Sequence, residues 1–136
     1  MQDESASPFE GWHLIHSYTR AQALEVGVLI DVSETAKEAG LKFPVAITTR
    51  VMGEIVATPC FAARHGETDT GRLWDVLWML RVAIKLQRPG DDPSTCHFPV
   101  LATDCKGEKI EHRLWSLCGP GDHMEPVITV MMRGED

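Results

Sequence analysis

No two of the four cysteines, Cys60, Cys96, Cys105 and Cys118, are spaced C-x-x-C. The chain therefore carries neither a redox dithiol nor the paired thiols of a zinc knuckle. Met1–Pro8 has no basic residue ahead of an apolar run. A secretory signal is not expected there, so the protein is placed in the cytoplasm with reduced thiols. No uninterrupted apolar stretch approaches the length of a membrane span, and no membrane association is expected. Basic residues are few: 13 Lys and Arg stand against 20 Asp and Glu, a formal net charge of -7. That balance repels phosphate, so direct nucleic-acid binding is disfavoured, while a protein partner is permitted. Internal repeats and low-complexity blocks are missing too.

What is present suits a folded domain. With 136 residues, 43% of them hydrophobic and 24% charged, the chain can bury one core without metal or disulfides. A tail over residues 1–10 and a single globular domain over 11–136 are expected. The most informative stretch runs from Thr70 to Gln87. Leu73, Val76, Leu77, Leu80 and Ile84 recur at helical spacing, and Trp74, Trp78, Val82 and Leu86 form a second stripe on the other side. A helix apolar on two sides is expected to be a central strut covered on both. Should one stripe lie open instead, Trp74 and Trp78 become a partner-binding or homodimer surface.

Other elements follow from local signals. Trp12–His16 reads as a strand. Ser17–Val26 reads as a helix, with Thr19 suited to cap it and Gly27 to end it in the left-handed conformation. Val28–Val32 is a short apolar run, and Asp31 or Ser33 can cap a brief helix ending at Gly40. Ile47, Val51 and Ile55 repeat every four residues, so a helix is expected over 44–57, with strand as the competitor because of the β-branched content. Asp69 or Thr70 is expected to cap the long helix. The last third changes character: Thr95–Thr103, Lys109–Cys118 and Glu125–Met132 read as an antiparallel meander, with Pro99 marking an edge strand or a bulge. The fold class is α+β, a small antiparallel sheet packed against three to four helices.

Motifs that would carry chemistry are sparse. His13 and His16 lie three apart, which on a strand places them on opposite faces. Cys96, His97, Cys105, His112 and Cys118 are too scattered for a zinc site, so no metal and no cofactor are expected. Gly119–Asp122 offers backbone N–H groups to an anion but lacks the G-x-x-x-x-G-K pattern, and a turn between strands is the better reading. Asp122 and Glu125 flank it as candidate acid–base or ligand-binding groups. Arg64–Glu67 spells the R-H-G-E of histidine phosphatases, but ahead of a helix instead of after an N-terminal strand.

Two resemblances add to this. His16–Glu25 (HSYTRAQALE), Gly71–Trp78 (GRLWDVLW) and Cys118–Asp122 with Glu125–Thr129 (CGPGD, EPVIT) resemble a family of small uncharacterised proteobacterial and mobile-element proteins. That family brings no activity or catalytic residue. It implies a bacterial protein carried on mobile DNA, and by association a non-enzymatic binder that blocks host defence, such as an anti-CRISPR protein. A weaker likeness joins His16, Ser17 and the following helix to the opening of ADP-ribosyltransferase-type folds. It implies the alternative, a small enzyme or nucleotide-binding protein using His16 and Ser17 with the 119–125 loop. The later tyrosine of those folds has no counterpart, since Tyr18 is the sole tyrosine.

Overall fold

The computed structural model describes residues 19–57, 66, 68–104 and 106–135. The expected tail over 1–10, the strand Trp12–His16, most of the loop after Pro59 and Cys105 lie outside the described residues. In chain order the elements are α1 (Arg20–Val26), β1 (Leu29–Asp31), α2 (Ser33–Glu38), β2 (Val45–Thr48), the single turn α3 (Thr49–Val51), a π-helical stretch (Met52–Val56), α4 (Asp69–Lys85), β3 (Thr95–Thr103), β4 (Lys109–Pro120) and β5 (Pro126–Met132). The strands form one sheet in the order β1-β2-β5-β4-β3. Only β2 and β5 run parallel; the other neighbours are antiparallel. The architecture is α+β.

Local chemistry explains the boundaries. Thr19 closes a capping box on α1, accepting from the Gln22 N–H while the Gln22 side chain accepts from the Thr19 N–H. Gly27, at φ 90°, ends the helix where a side chain would be strained. The three C-terminal strands fall close to their sequence-based ranges. β3 is the free edge of the sheet, which is where a mid-strand Pro99 costs no ladder hydrogen bond.

The helix expected over 44–57 forms only over 49–56, as an α turn and the π-helical stretch, and its first part is instead the strand β2. Val45–Thr48 is buried at every position. A strand in the sheet interior, one neighbour of which is parallel, is covered on both faces and reads as an unbroken apolar run, so the four-residue periodicity misled. Thr48 is the pivot: its hydroxyl accepts from the Val51 N–H and donates to the Glu135 carboxylate at 2.9 Å.

One face of the sheet carries the core. Val45, Ile47, Phe98, Val100, Leu114, Ile128 and Val130 meet Ala36 of α2, Ile55 and Val56 of the π-helix, and Val76, Leu77 and Leu80 of α4. Burying such a side chain stabilises by roughly 1.5–3 kcal/mol. On the opposite face Ala46 packs with Leu29 and with Ala23 of α1 in a smaller cluster. Arg72 is the odd member of the buried set, 5% exposed. Its Nε donates to the Ile55 carbonyl at 2.6 Å and its Nη1 to the Thr103 carbonyl at 3.2 Å, tying α4 to the π-helix and to the end of β3.

The long helix holds one expectation and corrects another. It forms over Asp69–Lys85 and packs on the sheet, capped by Thr68 in place of Asp69 or Thr70. Its two stripes differ, however. The Leu77 side is covered, whereas Trp74 and Trp78 are 37% and 43% exposed. The sheet lies on one side of α4 only, and the described residues supply no second layer over the other.

Candidate functional site

Trp74 and Trp78 sit one helical turn apart on α4, so their rings share a face. Arg81 extends that face by a further turn, its guanidinium carbon 5.0 Å from the centre of the Trp78 ring. A cation over an indole at this distance is attractive by about 0.5–1 kcal/mol at an exposed site. Just past the end of the helix Leu86, on the same stripe, is 72% exposed. The result is an exposed helical surface of aromatic and aliphatic groups with Arg81 over one of its rings. The spacing of the tryptophans was legible in the sequence. Arg81, three residues beyond Trp78, carries no signal in the sequence that sets it apart from other charged positions on the helix.

The second candidate lies at the β4–β5 turn. Asp122 receives the N–H groups of Arg20 (2.7 Å) and Ala21 (2.9 Å), so its carboxylate sits on the first turn of α1. Those two bonds hold its pKa below the ordinary carboxylate value. Glu125 accepts from the His123 N–H at 2.8 Å, which folds the turn on itself. A side chain at Gly121 would meet the Glu125 carboxylate, the movable end of that side chain, and would push it out of the turn. Arg20, unnoticed in the sequence, completes the junction: Nη1 donates to Thr129 Oγ1 and Nη2 to the Ile128 carbonyl, both at 2.9 Å. Burial lowers its pKa while Asp31, Asp122 and Glu125 raise it. The turn and the start of α1 border a shallow groove of about 360 Å³. His16 and Ser17 lie outside the described residues. The two carboxylates of the loop are thus engaged by backbone donors, which is the arrangement of a tertiary helix cap.

The remaining histidines and thiols are dispersed. His97 stacks on Trp115 with ring centres 6.1 Å apart. Burial is the largest influence lowering the pKa of His112, with the Arg72 cation adding to it and Glu54 opposing. Burial raises the Cys96 thiol pKa, so it is no activated nucleophile. Among the described residues no three His, Cys, Asp or Glu side chains converge in a way that would hold a metal ion. Within the Arg64–Glu67 tetrad only Gly66 is described. No helix of the described residues is long and apolar enough to cross a membrane.

Comparison with known proteins gives one match. A family model described as a family of unknown function, DUF6573, matches residues 6–136. No curated protein matches, and no solved structure matches.

Proposed function

The chain belongs to DUF6573, a family of unknown function, and from that premise we propose that it works as a protein-binding module whose contact surface is the solvent side of α4. The observation that carries this reading is the pair Trp74 and Trp78, 37% and 43% exposed on a helix whose other side is core. Tryptophan and arginine are among the residues that most often dominate interface energetics, tryptophan because it buries a large area with few rotatable bonds. Here Arg81 already rests over Trp78, which offsets part of the cost of ordering it on docking. An inhibitor carried on mobile DNA that occupies a bacterial defence protein in the cytoplasm is one form of this function. The enzyme or nucleotide-binding alternative on His16, Ser17, Asp122 and Glu125 has less support, because the loop carboxylates already serve backbone donors.

A specific observation favours a second copy of the chain as one partner. About Trp78 the exposed side of α4 is nearly self-complementary: Trp74 mirrors Val82, Asp75 mirrors Arg81 and Gly71 mirrors Lys85. Two such helices crossing antiparallel at Trp78 would set Asp75 against Arg81 of the other copy.

The test is the double substitution Trp74→Ala, Trp78→Ala. We expect complex formation with the protein partner, or self-association in sedimentation velocity, to weaken by more than about 2 kcal/mol while thermal stability moves little. Unchanged association would overturn the proposal. In the self-association case Asp75→Arg and Arg81→Asp each weaken the dimer, and combining them restores it.

A further inference from the structure

The end of α4 and the chain preceding β2 enclose a cavity of about 470 Å³ against the sheet, within the size range of small-molecule sites. Its floor is apolar, with Leu41, Ile84 and Ile128 contributing. Its rim carries Lys42, Arg81 and Lys85, and no aspartate or glutamate lines it. In a chain of net charge -7 this is a local inversion of sign. None of the three cations forms a salt bridge among the described residues. The C-terminal end of a helix contributes about half a negative charge, which three cations outweigh.

A second observation points into the same space. Ser116 lines the cavity on the face of β4 that also bears Leu114 and Cys118, and it is 4% exposed. Its hydroxyl has no hydrogen-bond partner among the described residues. A buried hydroxyl left without a partner costs about 1–3 kcal/mol, and such groups are uncommon in folded proteins. A polar atom of a bound molecule would remove that cost.

We infer that this cavity binds a small amphipathic anion, a monocarboxylate with an apolar body. The carboxylate meets Lys42, Arg81 and Lys85 and accepts a hydrogen bond from the Ser116 hydroxyl, and the hydrocarbon lies on Leu41, Ile84 and Ile128. The site is separate from the tryptophan surface except at Arg81, whose guanidinium also stacks on Trp78 and whose Nε stands 2.7 Å from where a Cβ at Gly40 would be. Gly40, at φ 96°, therefore both completes the turn and leaves room for the arginine.

Decanoate is the probe, titrated below its micelle concentration into the isotopically labelled full chain and followed by amide NMR shifts. We expect saturable shifts at Leu41–Phe43, Ile84–Gln87 and Ser116–Cys118. The double substitution Lys42→Gln, Lys85→Gln weakens decanoate binding about tenfold, with an amide spectrum otherwise preserved. Trp74→Ala leaves decanoate binding unchanged, so this result is read independently of the docking surface. No saturable binding overturns the inference. So does decanol or decyltrimethylammonium binding as tightly as decanoate, or a shift pattern that spares Ser116 and Cys118.

Discussion

Arg72 shows how one residue can hold three elements together. It is a charge in the covered layer, and its fork reaches the carbonyls of Ile55 in the π-helix and of Thr103 at the end of β3. Arginine suits this place because its guanidinium is planar and weakly hydrated and presents several donors in fixed directions. Hydrogen bonds from charged groups are each worth about 1.5–3 kcal/mol, and removing the donor leaves buried acceptors unpaired. Arg72→Met, which keeps most of the side-chain volume, should lower the unfolding free energy by about 2–4 kcal/mol in urea titration. A loss within about 0.5 kcal/mol, the range of ordinary surface changes, would show that Arg72 is incidental. Nothing in the sequence separated Arg72 from the other arginines. It lies between Gly71 and Leu73 in a helical stretch where an exposed charge is the ordinary expectation, and only the arrival of the π-helix and β3 from other parts of the chain makes it a buried donor.

At the scale of elements, α1 is a short helix held by its ends. Thr19 and Gly27 cap it locally, and Asp122 caps it from the β4–β5 turn across 101 residues of sequence. The local caps were legible because a Thr followed three residues later by Gln, and a Gly past the last apolar position, are short-range signals. The long-range cap was not, and Asp122 was read as a candidate ligand group. The sign of its pH dependence follows from the shift. The carboxylate pKa is lowered in the fold from the ordinary 3.8, chiefly by the Ala21 and Arg20 N–H groups. Its contribution is therefore complete above the unfolded value and is lost as pH falls through the folded one. Asp122→Ala should lower the melting temperature at neutral pH, and the gap to the parent chain should narrow below about pH 4. A gap that widens on acidification would contradict the capping role. The misreading over 44–57 has a similar origin. In a sequence, apolar residues repeating every four look alike whether they fill one helical face or straddle a buried strand and the turn after it, and here Thr48 makes the change from one to the other.

The whole molecule is a sheet with a strongly covered face and a lightly covered one, and α4 lies on the first. Its two apolar stripes were plain in the sequence, but a stripe does not say whether another layer exists to cover it. Leu77 and Leu80 are 0% exposed against the sheet, and Trp74 and Trp78 look outward. Family membership extends over residues 6–136 and brings no activity, so the functional reading rests on this asymmetry and on the acid-free cavity at the end of the same helix. The most direct test is hydroxyl-radical footprinting with residue-level mass spectrometry, at dilutions where the chain sedimenting alone is monomeric. Allowing for the greater intrinsic reactivity of indole, Trp74 and Trp78 should be oxidised as accessible groups while Leu77 and Leu80 stay protected. Protection of both tryptophans equal to that of the two leucines would mean that α4 is covered on both sides and that no docking surface is there.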